Sequence, residues 1–257
     1  MSELKAQVRE FWEQEPCGTG EGIVGERTPL TLEWFEQVER HRYSAEPFIH
    51  GVAQFTRHGG KKLLEIGVGA GTDHLQWARA GAHVHGVDLT QAAIDTTRAR
   101  LAAYGFESKL QRVDAETLPF ADETFDVVYS WGVIHHSENP RAILEEAHRV
   151  LKPGGLFLGM LYRRHSLAIL NEWIKHALLK GKPWRTFRDV TWHHVESLGT
   201  KAYTLRELRE LLDMFSHVEL RRYVTPYDTA KLLRRLHGLV PEVCGAFVGI
   251  RAVRSRR

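Results

Sequence analysis

Cysteine is nearly absent from this chain: Cys17 and Cys244 are the two among 257 residues. They form no C-x-x-C pair, so there is no disulfide framework and no thiolate cluster, and a reducing cytoplasm is the expected home. No window approaches the roughly 18 consecutive apolar residues of a membrane-spanning helix. The opening "MSELKAQVRE" holds no apolar core of the kind that marks a secretory signal. Strong charge of one sign is also missing, since the formal net charge is +3. Much of that excess sits in the tail "RAVRSRR", which reads as a solvated terminus, with nucleic-acid binding the weaker alternative. No internal repeat and no low-complexity tract appears. With 43% hydrophobic and 26% charged residues, the chain suits one globular domain with a sizeable core.

Apolar runs and helical stretches alternate from Lys61 onward. "KKLLEIG", "AHVHGVD", "SKLQRVD", "FDVVYSW" and "GLFLGMLY" read as five strands. "TDHLQWARAG", "TQAAIDTTRARLAAYG" and "NPRAILEEAHRVLKPGG" read as helices closed by glycine. Such alternation predicts right-handed βαβ units and a mostly parallel sheet covered on both faces, with its ligand beyond the carboxyl ends of the strands. The rhythm breaks after Tyr162. Residues 162–203 read as an inserted cap, a helix followed by an irregular segment rich in Trp and His. The helix "TLRELRELLDMF", the strand "HVELRRY", a basic helix around "DTAKLLRRLHG" and the strand "GAFVGIRAV" then complete the pattern. Residues 1–60 read as a helical lid with a glycine-rich loop between its helices, which leaves 61–257 as the main domain.

The junction of first strand and first helix, "LEIGVGAG", places Glu65, Gly67, Gly69 and Gly71 in the spacing E-x-G-x-G-x-G. Glycines there let the chain turn sharply and let a ligand approach the main chain. The dinucleotide fingerprint needs a glycine at position 72, where Thr72 stands. An acid inside the strand favours a ligand that presents a positive amino group. Asp88 ends the second strand, where a carboxylate can accept from both ribose hydroxyls. Asp114 ends the third, where it can accept from an exocyclic adenine amine. Each of these aspartates also suits a helix cap. Together with the glycine loop, the three acids describe a nucleoside site with an amino-acid arm.

The stretches "LEIGVGAGT", "VDLT", "RVDAETLPFADETFDVVYSWGVIHHSENP" and "EAHRVLKPGG" resemble the successive motifs of class I S-adenosylmethionine-dependent methyltransferases, in the subgroup that modifies small molecules and quinones. The resemblance covers roughly residues 60–161. It implies an α/β, Rossmann-like, doubly wound, mostly parallel seven-stranded sheet whose last strand is antiparallel. It implies S-adenosyl-L-methionine as cofactor and S-adenosyl-L-homocysteine as product. Glu65 and the backbone of Gly67, Gly69 and Gly71 would hold the methionine arm. Asp88 would take the ribose hydroxyls, Leu89 the adenine face, and Asp114 with Ala115 the adenine edge. Trp131 would line the methyl-donor channel.

A sulfonium is already a strong methyl donor, so the protein must mainly align a nucleophile and exclude water. A base is needed only where the acceptor is protonated at working pH. His136, in the loop after the fourth strand, is the candidate base, and packing under the next helix is the plainer role for it and for His135. Adjacent residues in an extended segment point to opposite sides, so the two histidines are not expected to share a site. No metal site is read from spacing, since H-E-x-x-H and C-x-x-C are both missing. Tyr43 is a second catalytic candidate, folding over the cofactor from the N-terminal lid. Cys17 sits in that lid without an assigned role. Trp184, Trp192, His193, His194 and Tyr203 form either an aromatic pocket wall or a cap over their own helix. The expected partner is a small-molecule acceptor methylated on oxygen, nitrogen or sulfur, with no nucleic acid. A lipid or quinone acceptor with peripheral membrane contact is the alternative; RNA methylation and a non-catalytic cofactor-binding protein are weaker ones.

Overall fold

Strand β1 (Lys62–Ile66) is buried at every position after its first, as a strand covered on both faces must be. The computed structural model, which describes residues 2–229 and 239–255, builds a seven-stranded sheet around it. Its other strands are β2 (His83–Asp88), β3 (Lys109–Arg112), β4 (Phe125–Trp131), β5 (Leu151–Tyr162), β6 (Ser216–Tyr223) and β7 (Phe247–Val253). The order is β3-β2-β1-β4-β5-β7-β6. The first five strands run parallel, and β7 is antiparallel to both β5 and β6. The expected doubly wound sheet with an antiparallel last strand is therefore present. Because the chain moves outward from β1 to β3 and then returns to β4, a crevice opens between β1 and β4 at their carboxyl ends.

Alternate residues serve opposite faces of the sheet. Leu64, Ile66, Val128 and Phe157 pack with Ile143, Leu144 and Leu208 on one side. Leu63, Val127, Tyr129 and Leu158 pack with Leu75 and Trp77 on the other. The covering helices α5 (Thr72–Arg79), α6 (Gln91–Ala103) and α7 (Pro140–Val150) fall where predicted. Helix α7 starts by local chemistry: the Asn139 side chain accepts from Ala142 N at 3.2 Å, and Pro140 fills a first-turn position that needs no donor.

The N-terminal segment folds as α1 (Glu3–Gln14), the short α2 (Glu21–Val24), α3 (Leu32–Ala45) and α4 (Ile49–Ala53). The helical run is interrupted between α3 and α4. Pro47 disfavours helical geometry at the residue before it, and Glu46 sits at φ −131°. Residues 162–203 contain α8 (Leu167–His176) and a second helix, α9 (Phe187–His194), where an irregular segment was expected. The Thr186 hydroxyl caps α9 by accepting from Asp189 N at 3.1 Å. Helix α10 (Leu205–Leu211) follows, with a reciprocal cap between Thr204 and Glu207. The basic helix predicted around "DTAKLLRRLHG" lies mostly outside the described residues. Among the described residues no helix is long and apolar enough to cross a membrane.

The arginine-rich tail is not simply solvated. Arg254 is 8% exposed and donates to the carbonyl of Arg149 at 2.9 Å and to that of Leu151. It also meets Glu123 at 2.9 Å. Arg254→Ala removes charge-assisted bonds from buried carbonyls and should cost about 2–3 kcal/mol, read as a shift in urea-unfolding midpoint. Arg254→Lys, which lacks the planar fork, should recover only part of the loss.

Candidate active site

The loop after β1 takes three left-handed turns, with φ of +80° at Gly67, +51° at Gly69 and +71° at Gly71. At Gly67 a Cβ would stand 2.2 Å from Val133 Cγ2, so the loop passes directly under the segment that follows β4. At Gly69 a Cβ would meet nothing within 4 Å, because that position faces open space. Helix α6 steadies the loop from behind: Thr97 Oγ1 donates to the Gly69 carbonyl at 3.1 Å, and Arg100 Nε to that of Ala70 at 2.7 Å.

The loop borders a cavity of about 770 Å³. Glu65, Gly67, Gly69, Asp88, Leu89, Asp114, Ala115 and Trp131 all line it. Gly71 does not; its Cβ position is closed off by Thr97, and it begins α5. Asp88 Oδ1 accepts from the Thr90 amide at 2.9 Å and the Thr90 hydroxyl at 2.8 Å, while Oδ2 accepts from Gly69 N at 3.2 Å. Thr90, rather than Asp88, is the cap of α6, so Asp88 steadies that cap while it lines the cavity. Burial pushes its carboxyl upward, countered by these donors. Asp114 meets Lys5 Nζ at 2.6 Å, and Glu116 meets it at 2.8 Å, so α1 lies across this part of the cavity.

Beneath Glu65 lies a chain of hydrogen bonds that the sequence did not announce. The Ser108 hydroxyl donates to the Val84 carbonyl at 3.0 Å, so it accepts from His74 Nε2–H at 2.8 Å. His74 Nδ1 is then left to accept from a protonated Glu65 at 2.9 Å. The environment agrees: burial, then Asp73, drives Glu65 well above the usual carboxylate range, and burial lowers His74 to about 3.

Asp73, also unanticipated, is the centre of a second cluster. It accepts from Arg42 Nη2 at 2.7 Å, Tyr43 Oη at 2.9 Å and Tyr129 Oη at 2.8 Å. Burial alone would raise its carboxyl, but Arg42 and the two hydroxyls hold it below its ordinary value. This spends the Tyr43 hydroxyl and corrects its expected role, since Tyr43 is not among the residues lining the cavity. Glu46, from the same segment, lines it instead. Glu46 accepts from Trp131 Nε1 at 2.7 Å and pairs with Arg42 at 3.3 Å. Burial pushes its carboxyl up.

The paired histidines occupy a 3-10 turn, Ile134–His136, rather than an extended segment, so they do not diverge. Their rings lie 4.3 Å apart. His135 is wholly buried and stacks on Tyr162 at 3.9 Å. His136 lines the cavity, with Nδ1 3.0 Å from both Thr200 Oγ1 and Ser197 Oγ. Its Nε2 stands 3.2 Å from Glu196 Oε2, and the Tyr162 hydroxyl donates to Glu196 Oε1 at 3.0 Å. Of the aromatic residues in the insertion, His194 lines the cavity, Trp184 is exposed, and Trp192 and Tyr203 border a separate cleft. Cys17 stands exposed at the cavity's edge. Pro47 signalled the break that frees Glu46. Nothing in the local pattern pointed to Asp73, His74 or Glu196.

The family described as "Methyltransferase domain" matches residues 64–159. The ubiquinone biosynthesis O-methyltransferase of Maricaulis maris is 38% identical over 128 residues, 48% of this chain and 50% of that one. The chain thus spans about half the length of that curated relative. Two crystal structures share the fold across nearly the whole chain. The cyclase SpnF aligns with TM-score 0.63 at 17% identity, covering 98% of this chain and 97% of its own. The geranyl diphosphate C-methyltransferase of Streptomyces coelicolor, in complex with Mg2+, geranyl diphosphate and S-adenosyl-L-homocysteine, has TM-score 0.63 at 14% identity, covering 98% of each chain.

The Glu65–His74 pair carries a pH signature. Folding lowers the His74 pKa, so its contribution is lost as pH falls below its unfolded value of ~6.5 towards about 3. Folding raises that of Glu65, so its contribution is present below its unfolded value of ~4.3 and is lost as pH rises towards the raised one. Between these unfolded values the pair binds one proton in either state and its effect is flat. Relative to the parent, His74→Gln should lose stability with rising pH across that window, and Glu65→Gln should gain it. Each slope should be about 1.4 kcal/mol per pH unit, read from denaturant midpoints against pH.

Proposed function

We propose, from the premise that this chain carries a class I S-adenosylmethionine-dependent methyltransferase domain, that it moves the cofactor's methyl group to an oxygen of a small-molecule acceptor. One observation carries the choice of oxygen. The cavity that holds the expected cofactor residues also contains a polar cluster of Glu46, His136, Tyr162 and Glu196, suited to an acceptor that must lose a proton. The M. maris relative is named as an O-methyltransferase, which supports this reading.

The lining residues fit the cofactor. Gly69 leaves open space beside the loop, and Asp88, Leu89, Asp114 and Ala115 stand at the carboxyl ends of β2 and β3. Asp88 would hold the ribose hydroxyls, Asp114 and Ala115 the adenine edge, and Glu65 with the loop backbone the methionine arm. When bound, the cofactor supplies an activated methyl group, which passes in line to the acceptor oxygen while sulfur keeps the pair of the broken C–S bond. Trp131, fixed by Glu46, and Met160 give that path apolar walls and exclude water. The His136–Glu196 pair faces the acceptor and draws off its hydroxyl proton. Thr200 and Ser197 steady the ring, each with its hydroxyl oxygen 3.0 Å from Nδ1, and the Thr200 hydroxyl in turn donates to the Ser197 carbonyl at 2.7 Å.

A specific observation favours an acceptor with an apolar arm, such as a quinone or lipid. Ile169, Ile174 and Leu179 line the cavity along the inserted cap. Beside them Leu179 is 75% exposed and Trp184 74%, flanked by Lys180 and Lys182. An apolar tip with basic neighbours suits an anionic membrane surface. The protein should co-sediment with anionic liposomes, and Leu179→Asp with Trp184→Asp should abolish this without changing cofactor affinity.

Calorimetric titration with S-adenosylmethionine tests the cofactor site. Asp88→Ala, which removes two charge-assisted bonds, and Gly69→Val, which fills the open face, should each weaken binding at least ~10-fold. Parental affinity in both would sink the assignment. Release of S-adenosylhomocysteine across phenols, thiols, amines and sugars then tests the reaction. His136→Asn should cost ~10²- to 10⁴-fold with a hydroxyl acceptor and little with a thiol. Turnover with no acceptor would favour a binding protein or another reaction on this fold.

A further inference from the structure

We propose that His135, His136 and Glu196 bind a divalent transition-metal ion of the zinc type, an inference that rests on the methyl-transfer reading only for what the ion does. One ligand atom from each residue lies within 4.8 Å of the other two. Two imidazole nitrogens and one carboxylate oxygen suit a borderline ion such as Zn2+, whereas Mg2+ and Ca2+ prefer oxygen alone.

Three further features are explained by a cation. His135 is wholly buried, yet among the described residues neither ring nitrogen has a hydrogen-bond partner. An unpaired polar group of this kind costs about 1–3 kcal/mol, a cost that metal coordination removes. His136 Nε2 stands 3.2 Å from a Glu196 carboxylate oxygen, yet among the described residues it makes no hydrogen bond. A cation seated between them satisfies both atoms, and that separation is one edge of the polyhedron around an ion with bonds of about 2.0–2.1 Å. Glu196 itself adopts φ +57°, a left-handed conformation that costs a non-glycine residue energy and persists where surrounding structure demands it.

The supporting contacts have the form of a metal centre. Thr200 holds the far nitrogen of His136, and the Tyr162 hydroxyl holds the second oxygen of Glu196. His136, Glu196 and Tyr162 line the cavity, and His135 is wholly buried. An ion here keeps a coordination position open towards the cavity. With the ion bound, coordination takes over from His136 as the means of ionising the acceptor: a hydroxyl bound there becomes more acidic, releases its proton to solvent and presents an oxygen anion to the methyl group.

Chelator-treated, dialysed protein should bind one Zn2+ per chain by calorimetry, and Co2+ should give ligand-field absorption bands in the visible. His135→Gln and Glu196→Gln should each weaken Zn2+ binding at least ~10-fold and alter the Co2+ bands. Glu196→Gln changes one partly exposed side-chain atom, so it keeps the test decisive if His135→Gln fails to fold. Absence of stoichiometric binding, or undiminished binding and unchanged bands in Glu196→Gln, would overturn the site. S-adenosylhomocysteine release that persists in metal-free, metal-refusing protein would sink the metal and leave the methyl-transfer reading intact. Stoichiometric metal binding without turnover on any acceptor would do the reverse.

Discussion

A single buried carboxylate, Asp73, joins the parts of this molecule that meet at the cavity. It stands on α5 and accepts from Arg42 and Tyr43 on α3 and from Tyr129 on β4. A carboxylate 4% exposed is tolerable only with such partners, because an unpaired buried charge costs several kcal/mol. The same requirement pins the N-terminal helices to the sheet. Arg42 then reaches Glu46, Glu46 reaches Trp131, and the end of β4 is set. The N-terminal helices and the strand end that borders the cavity are thus positioned through one anion.

The glycine loop after β1 obeys a different constraint, close approach. Val133 sits where a side chain at residue 67 would be, and Thr97 where one at residue 71 would be. Glycine is required at both by packing within the protein. At Gly69 the space is open, and the requirement comes from the left-handed backbone and from whatever occupies the cavity. Three glycines in one motif therefore serve distinct purposes. Asp88 likewise holds Thr90, the cap of α6, while its other oxygen holds the loop amide.

The cavity-lining residues at the ends of β1, β2 and β4 and after β3 were legible because they fall at fixed offsets from strand ends, and strands and helices show in short-range periodicity. Eight of the nine expected cofactor residues line the cavity, and the ninth, Gly71, starts the helix beside it. Tyr43 was misread for a physical reason. Its place on a lid helix was visible, but not that a buried aspartate on α5 would claim its hydroxyl. The two histidine rings lie side by side because alternation of side chains holds for extended chain and fails in a 3-10 turn.

What the sequence determined by itself is whatever depends on near neighbours: the βαβ alternation, the glycine turn, the helix caps and the acids that close β2 and β3. These follow from backbone geometry and burial periods of a few residues. Only tertiary structure decided the far side of the cavity. Glu46 meets Trp131 across 85 residues, Asp73 meets Tyr129 across 56, and His136 meets Thr200 across 64. Each contact joins polar groups that folding has removed from water, and the chain must satisfy them with whichever partner the packed elements bring within reach.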